Sequence, residues 1–299
     1  MKNGRVCVLG NIGLERKLFV SSFPRTDGEA VIERMLDDFG GTALFCTIAL
    51  NILGCKTHLI SQIGPDLEGE KVASFLQEAN VDTTYIHPSD SSTTCFFSIY
   101  DRNFNRIVFA KEGRWNESRT LLMLTEALVD SETLVICPTT PSLSMKAAEL
   151  SRRQNKTLVI SPTGAFSEKP IEWMIRFFGM ADFVFLNEKE LSLYSGSNDL
   201  SQALKTLRFR DNQTIVVTCG RRGCIIISRG KRIHQPSRTV TKVEDPSGAG
   251  DALLSAFLWS LKQGCNMKRA AFYGCLAGSA FTKGRTIKEK KALLKKLRE

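Results

Sequence analysis

Apolar residues along this chain fall into short unbroken runs separated by stretches with a helical repeat. Residues 6–9, 58–63, 134–137, 157–161, 183–186, 214–219 and 224–228 are apolar almost throughout and too short for helices, so they are predicted to be strands. Residues 42–53, 71–80 and 142–154 return an apolar side chain every three or four positions, as an amphipathic helix does. Another helix is predicted from Glu188 onward, and the last third reads as mainly helical. Strands that are apolar on both faces need cover on both faces. Their alternation with helices predicts an α/β fold with a mostly parallel central sheet between two helical layers.

Two segments break this rhythm. Residues 14–35 and 93–110 carry β-prone residues (Phe19-Val20, Val31-Ile32, Phe96-Phe97, Ile107-Val108-Phe109) with no helix between them. They are expected to be hairpin-like excursions pairing into a small second sheet, the alternative being an extension of the main sheet's edge. No internal repeat or Pro/Gly/Ser-rich linker divides the chain, so residues 1–299 are expected to form one domain.

Composition narrows the setting. No apolar run approaches the ~20 residues needed to span a bilayer, and the basic N-terminus leads straight into residues 6–9, which points to a cytoplasmic protein. Nine cysteines are an odd number, mostly inside apolar runs or helical patterns, as expected of buried reduced thiols. Cys219 and Cys224 have no second ligand pair or nearby His cluster, which argues against zinc. The net charge of +10 raises the question of nucleic acid. Its densest part, however, is Lys283, Arg285, Lys288, Lys290, Lys291, Lys295, Lys296 and Arg298, on a helix whose Leu293, Leu294 and Leu297 point inward. That pattern reads as a solvated helix face, with no nucleic-acid partner required.

The strongest chemical signal is Asp245-Pro246-Ser247-Gly248-Ala249-Gly250-Asp251, opening a helical stretch over 252–262. Small residues at a helix start let backbone N–H groups approach an anion, and the helix dipole adds positive potential there. A carboxylate beside an anion-binding turn is unfavourable unless it has a task, and in phosphoryl transfer that task is to take a proton from the attacking hydroxyl. Taken alone, the Gly-Ala-Gly turn is equally well a capped helix with Asp251 neutralising the dipole.

The whole string, with Ser255-Ala256 following, resembles the second signature of the ribokinase-like carbohydrate kinases, the PfkB family. The resemblance implies a ribokinase-like three-layer sandwich with a small β lid, here about 14–35 and 93–110. It makes Asp251 the catalytic base and Gly248, Ala249 and Gly250 the anion hole. Three further motifs occur in the family's order. Gly40-Gly41 resembles the double glycine beside the sugar. Asn187-Glu188-Lys189-Glu190 resembles the Asn-x-x-Glu motif, so Asn187 and Glu190 would position Mg²⁺ through water; alone, it reads as a helix cap with its capping box. Thr218-Cys219-Gly220-Arg221-Arg222-Gly223 resembles the turn lining the ATP phosphates, with Thr218, Gly220 and Gly223 as contacts; alone, it is a tight turn between strands. By position, Gly274 falls near the adenine. Asp245 and Ser247 fall where some members bind a monovalent cation such as K⁺. Lid sheets in the family often pair across a homodimer, which Phe96, Phe97 and Ile99 would permit.

The likeness breaks at the sugar. Gly40-Gly41-Thr42-Ala43-Leu44-Phe45 places Phe45 where the family has a polar Asn, and Gly10-Asn11-Ile12-Gly13-Leu14-Glu15 offers Asn11 and Glu15 where an Asp is common. Phe45 is expected to stack on the substrate or to pack its helix. Arg114, in the second lid region, is equally well an exposed lid arginine or a partner for a carboxylate or phosphate, and hence for an acidic or phosphorylated sugar. The sequence thus implies an ATP-dependent phosphotransferase acting on a hydroxyl of a sugar or sugar-like molecule. The alternatives are a non-catalytic sugar- or nucleotide-sensing descendant of a kinase and, from Gly10-Asn11-Ile12-Gly13, an NAD-dependent oxidoreductase. The first has no use for an intact Asp251, and the second lacks Gly-x-Gly-x-x-Gly.

Overall fold

The computed structural model describes residues 4–295 except 104, 164, 165, 239 and 241. The chain opens with β1 (Arg5–Leu9) and leaves at once for a hairpin, β2 (Gly13–Val20) and β3 (Ile32–Gly40). Helix α1 (Thr42–Ile52), β4 (Thr57–Ile63), α2 (Leu67–Glu78) and short β5 (Ile86–Pro88) follow, then a second excursion, β6 (Thr94–Tyr100) and β7 (Arg106–Lys111). The remainder alternates: α3 (Glu117–Ala127), β8 (Ser131–Ile136), α4 (Pro141–Arg153), β9 (Thr157–Ile160), α5 (Ile171–Gly179), β10 (Phe183–Asn187), α6 (Glu188–Ser195) and α7 (Leu200–Thr206). Strands β11 (Thr214–Thr218), β12 (Cys224–Ser228) and β13 (Lys231–Gln235) precede α8 (Ala249–Lys262), α9 (Met267–Phe281) and α10 (Ile287–Lys295).

The main sheet runs β13-β12-β11-β10-β9-β8-β1-β4-β5, parallel except at β11–β12 and β12–β13. Its strands alternate between two cores. Val6, Val8, Val135, Val159 and Val216 pack beneath α1, α8, α9 and α10. Cys7, Leu9, Leu134, Leu158 and Val217 pack against α3 to α7 on the other face. This is the expected three-layer sandwich, and the continuous apolar runs exist because both faces of the pleat are covered.

The two excursions join in a separate sheet, β3-β2-β6-β7, in which β2 and β6 pair in parallel and the outer strands are antiparallel. The edge-extension alternative is thereby excluded. Helix α2 starts at Leu67, four residues before the predicted start, because the Asp66 side chain accepts from the Gly69 N–H at 2.9 Å and caps it. Among the described residues no helix is long and apolar enough to cross a membrane.

The C-terminal basic run needs correction. Lys288 is exposed and pairs with Glu78, but Lys290 is fully buried, so α10 is not simply a solvated face. Leu294 is buried and Leu293 half-buried, while Lys296, Leu297 and Arg298 lie outside the described residues.

Candidate active site

The sequence motifs converge at the carboxyl ends of the central strands, where ligands of open α/β sheets bind. β1 ends at Leu9 and turns through Gly10-Asn11-Ile12 into the second sheet. The Asn11 carbonyl presses on Gly41, where a β-carbon would lie 2.3 Å from it, and Gly41 adopts φ 112° as it starts α1. Only glycine fits there, which joins the first strand's exit to the α1 N-terminus. Cys46 of α1 in turn packs on the backbone of Asp251.

Gly248 precedes α8 with φ 74°, the left-handed region that glycine supplies. The Ala249 N–H donates to the Pro246 carbonyl at 3.2 Å, so that amide is engaged within the turn. The next two amides, of Gly250 and Asp251, lie in the first helical turn and have no intrahelical acceptor. No heavy atom outside the neighbouring backbone lies within 4 Å of the place a Gly250 β-carbon would occupy, which leaves room for a ligand. Burial, with the charge of Glu190 second, raises the Asp251 carboxyl to a pKa of about 7, against opposing pulls from Arg106 and Lys290. A carboxyl tuned to neutrality beside unused amides is equipped to accept a proton.

Asn187 and Thr218 end adjacent strands and pair in register across β10 and β11. The Asn187 side chain accepts from the Glu190 N–H at 2.8 Å while Glu190 Oε2 accepts from the Asn187 N–H at 2.9 Å, a complete capping box. Burial pushes the Glu190 carboxyl up. The turn after β11 has φ 56° at Gly220 and 93° at Gly223, and a β-carbon on Gly223 would lie 2.0 Å from the Gln235 carbonyl. Arg222 reaches back to both Glu188 oxygens at 2.5 and 2.6 Å, tying this turn to the start of α6.

A charged cluster joins the second sheet to the Asp245–Ser247 loop. Lys17 Nζ donates to Asp38 Oδ2, Asp245 Oδ2 and the Arg285 carbonyl, each at 2.8 Å. Tyr100 Oη donates to Asp245 Oδ1 at 3.1 Å and bonds Ser247 Oγ at 2.9 Å. Arg106, exposed as a residue, still brings its guanidinium to Ser247 Oγ. Lys290 Nζ meets the Asp245 carbonyl at 3.2 Å, the Ser247 carbonyl at 2.5 Å and Asp245 Oδ2 at 3.1 Å. Burial alone would raise the Asp245 carboxyl, but Lys290 and Lys17 outweigh it and hold it well below the usual carboxylate range. Glu15 is buried beside this cluster. Its Oε1 accepts from Ser98 Oγ at 2.6 Å, its Oε2 has no hydrogen-bond partner, and burial raises its pKa.

With this geometry in place, the match of the pfkB family carbohydrate kinase model over residues 3–288 decides the affiliation. The chain belongs to that family. As a pfkB family kinase it is a phosphotransferase with an alcohol group as acceptor. A nucleoside kinase of Methanothermobacter thermautotrophicus is 23% identical over 272 residues, covering 91% of this chain and 87% of its own. The structure of a Burkholderia thailandensis nucleoside kinase in complex with inosine has a TM-score of 0.79 at 17% identity, over 94% of this chain and 92% of that one. Arabidopsis thaliana ribokinase complexed with ribose and ATP gives 0.80 at 16% identity, over 99% of both chains. Both likenesses are to the fold.

The structure gives the surroundings of several residues that the sequence of this pfkB family kinase left open. Phe45 is only 6% exposed; its ring meets Phe281 edge-on at 5.8 Å and lies beneath Gly248, whose β-carbon would be 2.9 Å from it. It packs behind the Gly248 turn, the helix-packing alternative. Gly274 is buried in α9, where a β-carbon would be 3.0 Å from the Leu253 carbonyl, so the glycine permits close helix packing there. Arg114 is exposed and its backbone does the bonding: its carbonyl accepts from Gln62 and Ser89, and its N–H donates to Ser91 Oγ. The oxygens of Asp245 and Ser247 expected to hold a monovalent cation are engaged by Lys290. Sequence reasoning missed Lys17, Asp38, Tyr100, Arg106 and Lys290. The one available signal was Lys17 two residues after Glu15, on the same face of a strand.

Proposed function

We propose that this carbohydrate kinase transfers the γ-phosphoryl group of ATP to a hydroxyl of a pentose, free or within a nucleoside, with Asp251 as the base. The observation that carries the reading is the placement of the Asp251 carboxyl in the open first turn of α8, where burial and Glu190 raise its pKa. The acceptor hydroxyl gives its proton to the Asp251 carboxylate as its oxygen bonds to the γ-phosphorus. The bond from that phosphorus to the bridging oxygen breaks, ADP departs, and Asp251 later returns the proton to solvent. The Gly250 and Asp251 amides, with the positive end of α8, hold charge on the transferring group, while Gly248 sets the turn's geometry and the Ala249 amide closes it.

On the nucleotide side, Thr218, Gly220 and Gly223 shape a turn beside Asn187, suited to ATP phosphates. The oxygen donors beside that turn, Glu190 and Asn187, would suit a Mg²⁺ ion carried mainly by those phosphates. Glu190, with one oxygen committed to its cap, offers the other, and Asn187 orients it. When bound, the ion would neutralise phosphate charge.

For the acceptor, Glu15 Oε2 is buried 3.8 Å from Lys17 Nζ with no hydrogen-bond donor, which a sugar hydroxyl would supply, with Asn11, Gly40 and Gly41 forming the adjoining wall. Nucleoside kinases and ribokinases among the relatives favour a pentose. Arg114 remains available for an anionic substituent, and a sugar-acid or sugar-phosphate arm belongs in the panel. ADP release measured across nucleosides, pentoses and their acids and phosphates tests the reading; no ADP release above the substrate-free rate with any of them would exclude it. The second sheet exposes Ile32, Met35, Val108 and Phe109, while Phe96, Phe97 and Ile99 are half-buried. We place a homodimer contact on the exposed set, to be read by light scattering of wild type and Phe109→Lys.

A further inference from the structure

We infer that Lys290 is a built-in cation that pins the loop leading into the anion turn, and that this kinase therefore runs without a bound monovalent metal ion. The inference rests on the phosphotransfer reading for its kinetic arm and on geometry alone for its stability arm.

Lys290 lies on α10 and is 0% exposed. An ammonium has three N–H donors and no acceptor. Three oxygens meet it: the Asp245 carbonyl, the Ser247 carbonyl and Asp245 Oδ2, at 3.2, 2.5 and 3.1 Å. Its remaining surroundings include the rings of Phe281 and Phe45, at 5.2 and 5.9 Å from Nζ, and aromatic faces attract a cation. Two backbone carbonyls and a carboxylate converging on one positive charge are the donors a desolvated alkali-metal ion would seek. Here a covalently attached ammonium, alike in charge and close in size to K⁺, already holds them. Lys17 shares the same oxygen, Asp245 Oδ2, at 2.8 Å, so a further cation would meet two positive charges and no uncommitted carboxylate oxygen: Asp245 Oδ1 accepts from Tyr100 and from the Ser247 N–H.

The consequence reaches the reacting groups through one peptide plane. In a trans peptide the C=O and the following N–H point in opposite directions. Fixing the Ser247 carbonyl on Lys290 therefore fixes the direction of the Gly248 amide, and with it the left-handed turn that delivers Gly250 and Asp251. Lys290 is a positioning residue: it acts through the loop, adds a charge that draws the Asp251 carboxyl down, and touches none of the proposed reacting atoms.

The test uses the full-length enzyme at constant ionic strength. Wild type is assayed with tetramethylammonium, sodium or potassium chloride. Rates within about twofold of one another are expected, and a larger stimulation by K⁺ overturns the proposal. Lys290→Ala is expected to lose about tenfold or more of kcat in tetramethylammonium and to recover part of it with ammonium, methylammonium or potassium. A variant at full rate in tetramethylammonium, or one whose loss no small cation relieves, refutes it. In parallel, thermal unfolding of Lys290→Ala should rise with ammonium or potassium relative to tetramethylammonium while wild type shows no such difference. That readout needs no phosphoryl acceptor, so the inference stands or falls even if the substrate reading fails. If Lys290→Ala does not fold, Lys290→Met keeps the volume without the charge, and the wild-type ion series remains decisive.

Discussion

Replacing Asp251 with Asn should abolish most turnover and, at the same time, stabilise the protein at alkaline pH. Burial and the Glu190 charge lift the Asp251 carboxyl from the ordinary 3.8 to about 7. At ~1.4 kcal/mol per pKa unit, that rise favours the protonated form by roughly 4 kcal/mol. Linkage sets the sign: between these two values the folded chain holds a proton that the unfolded chain has lost. Stability from this site is therefore complete below pH ~4, declines from there to pH ~7, and stays at the lower value above. The Asp251→Asn amide is neutral throughout and escapes the decline. Because Asp251 is partly open to solvent, solvent screening reduces the gain to about 1–2 kcal/mol. For a chain of this length that is a Tm about 2–4 °C above wild type at pH 8, vanishing towards pH 4. The same substitution removes the proton acceptor and should lower kcat by about 10²–10⁴. Scanning fluorimetry from pH 4 to 8 and a coupled ADP-release assay read the two effects. A variant that kept more than about a tenth of wild-type turnover would refute the role of base. A stability difference running the other way with pH would refute the electrostatics.

The remaining predictions probe the surroundings of the same turn. In wild type, kcat/KM should rise with pH through about 7 as Asp251 ionises, and Glu190→Gln should move that limb to lower pH because a like charge is gone while the amide oxygen still accepts the Asn187 N–H. A limb that stayed in place would remove Glu190 from the argument. Gly248→Ala should cost about 2–4 kcal/mol in urea unfolding, combining a left-handed backbone with overpacking, since its β-carbon would sit 2.6 Å from Phe281. Arg106→Ala should raise the acceptor KM about five- to tenfold with little loss of stability, because it detaches β7 from Ser247; an unchanged KM would make that contact incidental.

Much of the architecture was legible in the sequence, and the reason is physical. The strands of the main sheet are buried on both faces, so runs such as 183–186 and 214–219 announce themselves without any alternation to decode. The glycines at 41, 223 and 248 are also readable, because each sits where a side chain would collide or a positive φ is required. Less legible was anything whose meaning depends on a partner distant in sequence. Lys290 looks like any other basic residue of a C-terminal run until the fold lays α10 over Asp245. Lys17 looks like a surface residue of a hairpin until β2 is placed against that same carboxylate. Phe45 was recognised as out of place, but sequence could not tell a ring aimed at a ligand from one seated behind Gly248. Helix α3 was missed because its apolar residues are bunched at 121–124, without the helical repeat, and its cap, Asn116, resembles ordinary loop chemistry.

The parallel pairing of β2 with β6 has a consequence for the order in which the molecule assembles. These neighbours are separated along the chain by β3, α1, β4, α2 and β5, so their register cannot be set by a tight turn. Each hairpin, β2–β3 and β6–β7, closes locally, but joining them means closing a long loop, whose entropic cost falls sharply once the intervening segment is already docked. The two hairpins are therefore expected to close early, each by itself, and the four-stranded sheet to form only after the intervening strands and helices have docked. On that order Lys17, Tyr100 and Arg106 should reach Asp245 and Ser247 together and late, which pulsed hydrogen exchange at β2 and β6 would read.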